Sequence, residues 1–60
     1  MKIRYYQKGN LVGRIEEKAN GIWAMYRGFC NQAMNYCGDF ESEHHASYKM
    51  EYDGFKEISK

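Results

Sequence analysis

The chain has 60 residues, 43% hydrophobic and 28% charged, with a formal net charge of +1, two cysteines and no proline. A chain this short buries only about 60% of the surface its unfolded state exposes, so it is read as one domain, residues 1–60, with a thin core and little interior volume for a sequestered catalytic pocket. The apolar content excludes a disordered chain, no apolar run is long enough to span a membrane, and the start MKIRYY lacks the apolar stretch of a secretory signal, so a cytoplasmic protein is expected.

In chain order, Ile3 to Tyr6, Leu11 to Lys18 and Ile22 to Phe29 are rich in branched and aromatic residues and are separated by Gly9-Asn10 and Asn20-Gly21. They read as three antiparallel strands in a meander. Asn20-Gly21 is the strongest local signal, because a type I′ turn needs positive φ at both central positions, which asparagine tolerates and glycine adopts freely. A two-residue loop there pairs Ala19 with Ile22, Ile15 with Tyr26 and Gly13 with Gly28. That register turns Leu11, Gly13, Ile15, Ala24, Tyr26 and Gly28 inward, the small residues leaving room for a helix. Trp23, Met25, Arg27 and Phe29 then face outward with Val12, Arg14, Glu16 and Lys18. A three-residue loop at Lys8-Gly9-Asn10 puts Ile3 and Tyr5 beside Ile15 and sets Arg4 and Tyr6 on the outer face, Arg4 beside Arg14. Under these registers Arg4, Arg14 and Arg27 form a row across the exposed side of the sheet.

A short fourth strand is expected around Ala33 to Cys37 after a turn at Asn31-Gln32. The period then changes: Ser42 suits an N-cap, Glu43 the positive end of a helix, Ala46 and Met50 share one helical face up to about Tyr52, and Gly54 is the expected stop. Phe55 to Ile58 alternates and returns as a short closing edge strand, with Phe55 and Ile58 competing for the core. The fold class is therefore α+β, an antiparallel sheet of three to four strands packed on one helix, with that C-terminal edge strand.

Cys30, Cys37, His44 and His45 are the residues that could hold a transition metal, but they lack the paired spacing of a structural zinc site, and adjacent helical histidines point about 100° apart. The two cysteines read as reduced thiols, in line with a reducing compartment. A thiolate would need a base that only a tertiary contact with a histidine could supply. No nucleophile elbow, phosphate-cradling loop or framed carboxylate pair is present. No enzymatic activity, cofactor or metal is expected.

The first thirty residues carry six basic against two acidic side chains, the last thirty three basic against six acidic. A basic half facing phosphates or an acidic protein fits this polarity. The row of Arg4, Arg14 and Arg27, rimmed by Tyr6, Lys18, Trp23, Met25 and Phe29, combines residue types enriched at interface centres and makes the outer face the expected binding site.

Ile22-Trp23-Ala24, followed by Gly38-Asp39-Phe40-Glu41-Ser42 and Ala46, resembles the plant ethylene-response-factor type DNA-binding domain and the arm-binding N-terminal domains of phage tyrosine integrases. Both pack a three-stranded antiparallel sheet on a helix, and the match spans roughly residues 11 to 53. The resemblance implies that the open sheet face enters the DNA major groove, with Arg14, Trp23 and Arg27 contacting bases and phosphates. The small sheet-plus-helix architecture is also similar to phage proteins that inhibit host machinery, anti-CRISPR proteins among them, which would place it in a bacterial host's cytoplasm. The expected function is a non-enzymatic binding module for an anionic partner, nucleic acid slightly preferred over an acidic protein, acting as a monomer or small homo-oligomer. The alternatives are an inhibitor of a host enzyme or CRISPR effector, and a metal-stabilised fold using Cys30, Cys37 and one histidine.

Overall fold

A computed structural model describes residues 2–58. It contains β1 (Ile3–Lys8), β2 (Leu11–Glu17), β3 (Trp23–Phe29), β4 (Asn35–Phe40), α1 (Glu43–Tyr52) and β5 (Lys56–Ile58). The strands form one antiparallel sheet in the order β4-β3-β2-β1-β5, and the helix packs on one of its faces. The α+β class, the meander and the closing edge strand are as expected. The helix is too short to cross a membrane, and no other helix is found among the described residues.

The helix boundaries follow local chemistry. The Ser42 hydroxyl accepts from the His45 amide at 3.2 Å, satisfying one of the amides left free in the first turn. At the other end Gly54, at φ 93°, donates to the Glu51 carbonyl, and Phe55 donates to that of Met50. This pair of bonds is the Schellman arrangement, and it carries Phe55 back under the helix. The core consists of Tyr6, Ile15, Trp23 and Met25 from the sheet, Ala46 and Met50 from the helix, and Phe55 after it.

Both hairpin registers differ from expectation by one residue. Asn20 (φ 60°) and Gly21 (φ 77°) make the expected turn, but Ile22 faces two residues of the outgoing arm: its amide donates to Ala19 and its carbonyl accepts from the Lys18 amide at 2.7 Å. This one-residue bulge sets Glu17 opposite Trp23, Ile15 opposite Met25 and Gly13 opposite Arg27. The first hairpin has a two-residue loop, with Lys8 opposite Leu11 and positive φ at Gly9 alone, so Arg4 lies opposite Ile15 rather than Arg14.

Because side chains alternate along a strand, a shift of one residue exchanges the faces of everything beyond the turn. Strand β2 keeps its expected faces, while β1 and β3 are inverted relative to it. Trp23, Met25, Arg27, Arg4 and Tyr6 lie on the helix side, and Ile3, Tyr5, Ala24, Tyr26 and Gly28 on the open side. Of the small residues expected under the helix only Gly13 is there: a Cβ on it would stand 2.5 Å from the Met50 methyl. Gly28 makes room for the β3–β4 loop instead, with Ala33 O and the Met34 Cα each 3.1 Å from where its Cβ would be.

The fourth strand starts later than expected, at Asn35, because the turn after β3 centres on Cys30-Asn31, closed by Gln32 donating to Phe29 at 3.0 Å, and is followed by Ala33-Met34 crossing the open face. A bulge at Cys37 separates the Met25–Gly38 and Tyr26–Tyr36 pairs. Phe55 takes the core position and Ile58 settles on the open face opposite Tyr5.

Candidate binding face of the sheet

The helix covers one face of the sheet, so the other presents its side chains outward. In the middle of that face Arg14 stands 4.4 Å from the centre of the Tyr26 ring, and Tyr26 packs at 5.6 Å against Tyr36, which is 57% exposed. Met34, from the crossing loop, brings its sulfur within 3.8 Å of Arg14 Nη1. Towards β5 a hollow of about 210 Å³ is lined by Tyr5, Val12, Cys30, Met34 and Ile58, with the backbone side of Tyr6 and Gly13 as its floor. The centre of the face is thus aromatic and apolar.

Away from Lys56, which stands exposed at the β5 edge, its charges are already engaged. Lys18 lies 3.2 Å from Asp39, and Arg14 lies 3.8 Å from Glu16. The Tyr36 hydroxyl donates to Asp39 at 2.7 Å. That bond, with Lys18 beside it, holds the Asp39 carboxyl below its usual range, while Asp39 raises Tyr36 and Lys18 above theirs. All three groups sit at the surface, where such pairs contribute little stability and chiefly fix orientation.

The structure does not assemble the expected arginine row. Arg14 and Lys18 are on the open face, and the other six expected site residues are not. Arg4, on the helix side, makes a bidentate pair with Glu57 at 2.7 and 3.0 Å and a third bond to Glu43 at 3.1 Å, joining β1 to β5 and the helix start. Glu57 in particular raises the Arg4 pKa further, and Arg4 in turn lowers Glu57. Arg27 lies over the Phe55 ring at 4.9 Å and reaches Asp53 at 2.7 Å. Trp23, 3% exposed, Met25 and Tyr6 are core side chains. Phe29 stays 54% exposed, beyond the end of the helix. The DNA-contacting roles that the resemblance implied for Trp23 and Arg27 therefore have no open face to act from.

Tyr5, Tyr26, Tyr36 and Met34 are the open-face residues that sequence reasoning missed. The available signal was volume: Trp23 and Met25, the large apolar residues of β3, share one parity, and the core claims the larger apolar set. A second exposed aromatic pair, Tyr48 and Tyr52, stacks at 6.1 Å on the outer side of the helix. Cys30 and Cys37 are free and exposed, and no group of three His, Cys, Asp or Glu side chains gathers as a metal site among the described residues.

Compared with known proteins, the chain matches no family model, no curated protein and no solved structure.

Proposed function

We propose that this chain is a non-enzymatic binding module that docks a protein partner through the open face of its sheet. The observation that carries this reading is the pairing state of that face: Tyr5, Tyr26, Tyr36 and Met34 surround Arg14, while Arg14 and Lys18 each already face a carboxylate. Tyrosine, methionine and arginine over a rigid sheet are the composition of a protein-binding centre, since they offer large contact area at small entropic cost. Binding to nucleic acid draws on cations free to displace counterions, and here Arg14 and Lys18, the cations nearest the tyrosines, each stand beside a carboxylate, while Lys56 lies apart at the β5 edge. A small inhibitor that occludes a larger enzyme is one form of this function.

Single-stranded nucleic acid is the second reading, favoured by the tyrosines, which could stack bases as open sheets of this kind do. The two readings separate in one experiment. Immobilised protein is exposed to extract of its source cell and, in parallel, to single-stranded and duplex oligonucleotides at low salt. One retained protein is expected, reduced more than about tenfold by Tyr26→Ala with Tyr36→Ala, roughly 1.4 kcal/mol or more, and unchanged by Tyr48→Ala with Tyr52→Ala on the helix. Oligonucleotide binding whose log affinity falls with log salt at about −0.7 per contact would replace the protein partner with a single strand. Capture indifferent to the open-face pair would sink both.

A further inference from the structure

Asn20 and Gly21 form the tip of the β2–β3 hairpin, and both are exposed. The turn is closed by two backbone bonds, from the Ile22 amide to the Ala19 carbonyl at 3.2 Å and from the Lys18 amide to the Ile22 carbonyl at 2.7 Å. Neither bond involves the tip itself. Among the described residues nothing accepts from the Gly21 amide, no hydrogen bond holds the Asn20 side chain, and a Cβ on Gly21 would meet no atom within 4 Å.

An asparagine side-chain amide is an electrophile within reach of the main-chain nitrogen of the residue that follows it, and the bulk of that residue controls how often the two meet. Gly21 is the smallest follower possible. The other asparagines, Asn10, Asn31 and Asn35, are followed by Leu11, Gln32 and Tyr36, whose side chains crowd the approach. In the folded turn Asn20 sits at φ 60° and Gly21 at φ 77°, and the nitrogen must swing towards the Asn20 side chain before it attacks. Two backbone bonds at the exposed end of the hairpin oppose that motion, each shifting the population by no more than about tenfold.

We infer that Asn20 is a site of spontaneous deamidation through a cyclic imide. The Gly21 nitrogen, having given up its proton, forms a bond to the Asn20 Cγ, and the bond from Cγ to the side-chain nitrogen breaks and releases ammonia. Water then opens the imide: cleavage beside Cγ leaves an aspartate, and cleavage beside the main-chain carbonyl carbon leaves an isoaspartate whose chain runs through Cβ and Cγ. One water is consumed, one ammonia is released, and nothing is oxidised or reduced. Both products take the formal net charge from +1 to zero, where repulsion between copies is least. Aspartate tolerates the positive φ and keeps the turn. Isoaspartate adds a main-chain carbon to the loop whose length sets which residues of β2 and β3 oppose each other. This chemistry is independent of the docking face.

The test incubates the full chain at mildly alkaline pH in heavy-oxygen water and maps the incorporated label by mass spectrometry, with isoaspartyl methyltransferase marking the isoaspartate. Label at position 20 is expected at least about tenfold ahead of Asn10, Asn31 and Asn35, with isoaspartate among the products. In the folded chain the rate is expected to lie within about a hundredfold of that in denaturant, the most that two such bonds hold back. Gly21→Ala is expected to slow the reaction about tenfold or more. Alanine is strained at positive φ, so this comparison is made in denaturant as well, where folding plays no part. Labelling that spares position 20, a folded chain more than about a hundredfold slower than the unfolded one, or a rate in denaturant indifferent to Gly21→Ala would overturn the assignment.

Discussion

Tyr6 lies wholly inside, against the helix, yet its hydroxyl is buried without a hydrogen-bond partner. Burial is the main cause that pushes its phenol above the usual value, with the Arg4 charge opposing it and Ser47 close enough to soften the effect but outside bonding geometry. A buried donor left unmade costs about 1 to 3 kcal/mol. Tyr6→Phe keeps the ring and removes the donor, so it is expected to stabilise the protein by about 1 kcal/mol in thermal unfolding. A loss of stability would show that the hydroxyl is satisfied. The sign of the alkaline effect follows. A group whose pKa is raised by folding lends its stability fully below the unfolded value, near 10, and loses it as pH rises through the folded value. The steep part of the alkaline limb is therefore expected to diminish in the same variant.

Among the elements, those whose limits rest on short-range chemistry were legible in the sequence and those whose position rests on counting were not. Ser42, Gly54, and Ala46 with Met50 fix the helix through bonds and contacts within a few residues, and the helix lies where they put it. Asn20-Gly21 also forms the turn it signals, but turn type does not determine how many residues oppose the closing pair, and the bulge at Lys18-Ala19 inverted β3. The arginine row lost Arg27 for this reason and Arg4 to the shorter first loop, and the same two shifts brought Tyr26 and Tyr5 to the open face. A definite expectation follows for the turn. Deleting Ala19 leaves Asn20-Gly21 as a two-residue loop closed by Lys18 and Ile22 and preserves every pair below it, so stability measured by denaturant should change by less than about 1 kcal/mol. A loss of several kcal/mol would mean that Ala19 itself holds the hairpin.

Across the whole molecule, the charge asymmetry between the halves of the sequence is spent internally. Arg4 meets Glu43 and Glu57, Lys18 meets Asp39, and Arg27 meets Asp53, so in each of these ion pairs a cation from the first half faces an anion from the second. Polarity that in the sequence suggested an anionic partner is also part of how the chain folds back on itself. Arg4 lowers Glu57, Arg27 and then Lys49 lower Asp53, and Tyr36 and then Lys18 lower Asp39. Carboxylates lowered by folding contribute stability above their unfolded values, near pH 4, and lose it as pH falls through the folded ones. The melting temperature should therefore be flat near neutral pH and fall below about pH 4, with a shallower fall in Arg4→Gln, whose Glu57 has lost the partner that lowers it. An acid limb identical in Arg4→Gln and wild type would show that this pair carries none of the dependence.

The single tryptophan of the chain sits in the seam between helix and sheet. Its fluorescence is consequently a built-in reporter of that seam: emission shifts to the red when Met50 and Ala46 lift from Trp23. The tyrosines are divided between the two sides, Tyr6, Tyr48 and Tyr52 with the helix and Tyr5, Tyr26 and Tyr36 on the open face, so the indole alone reports one side by itself, without any added dye.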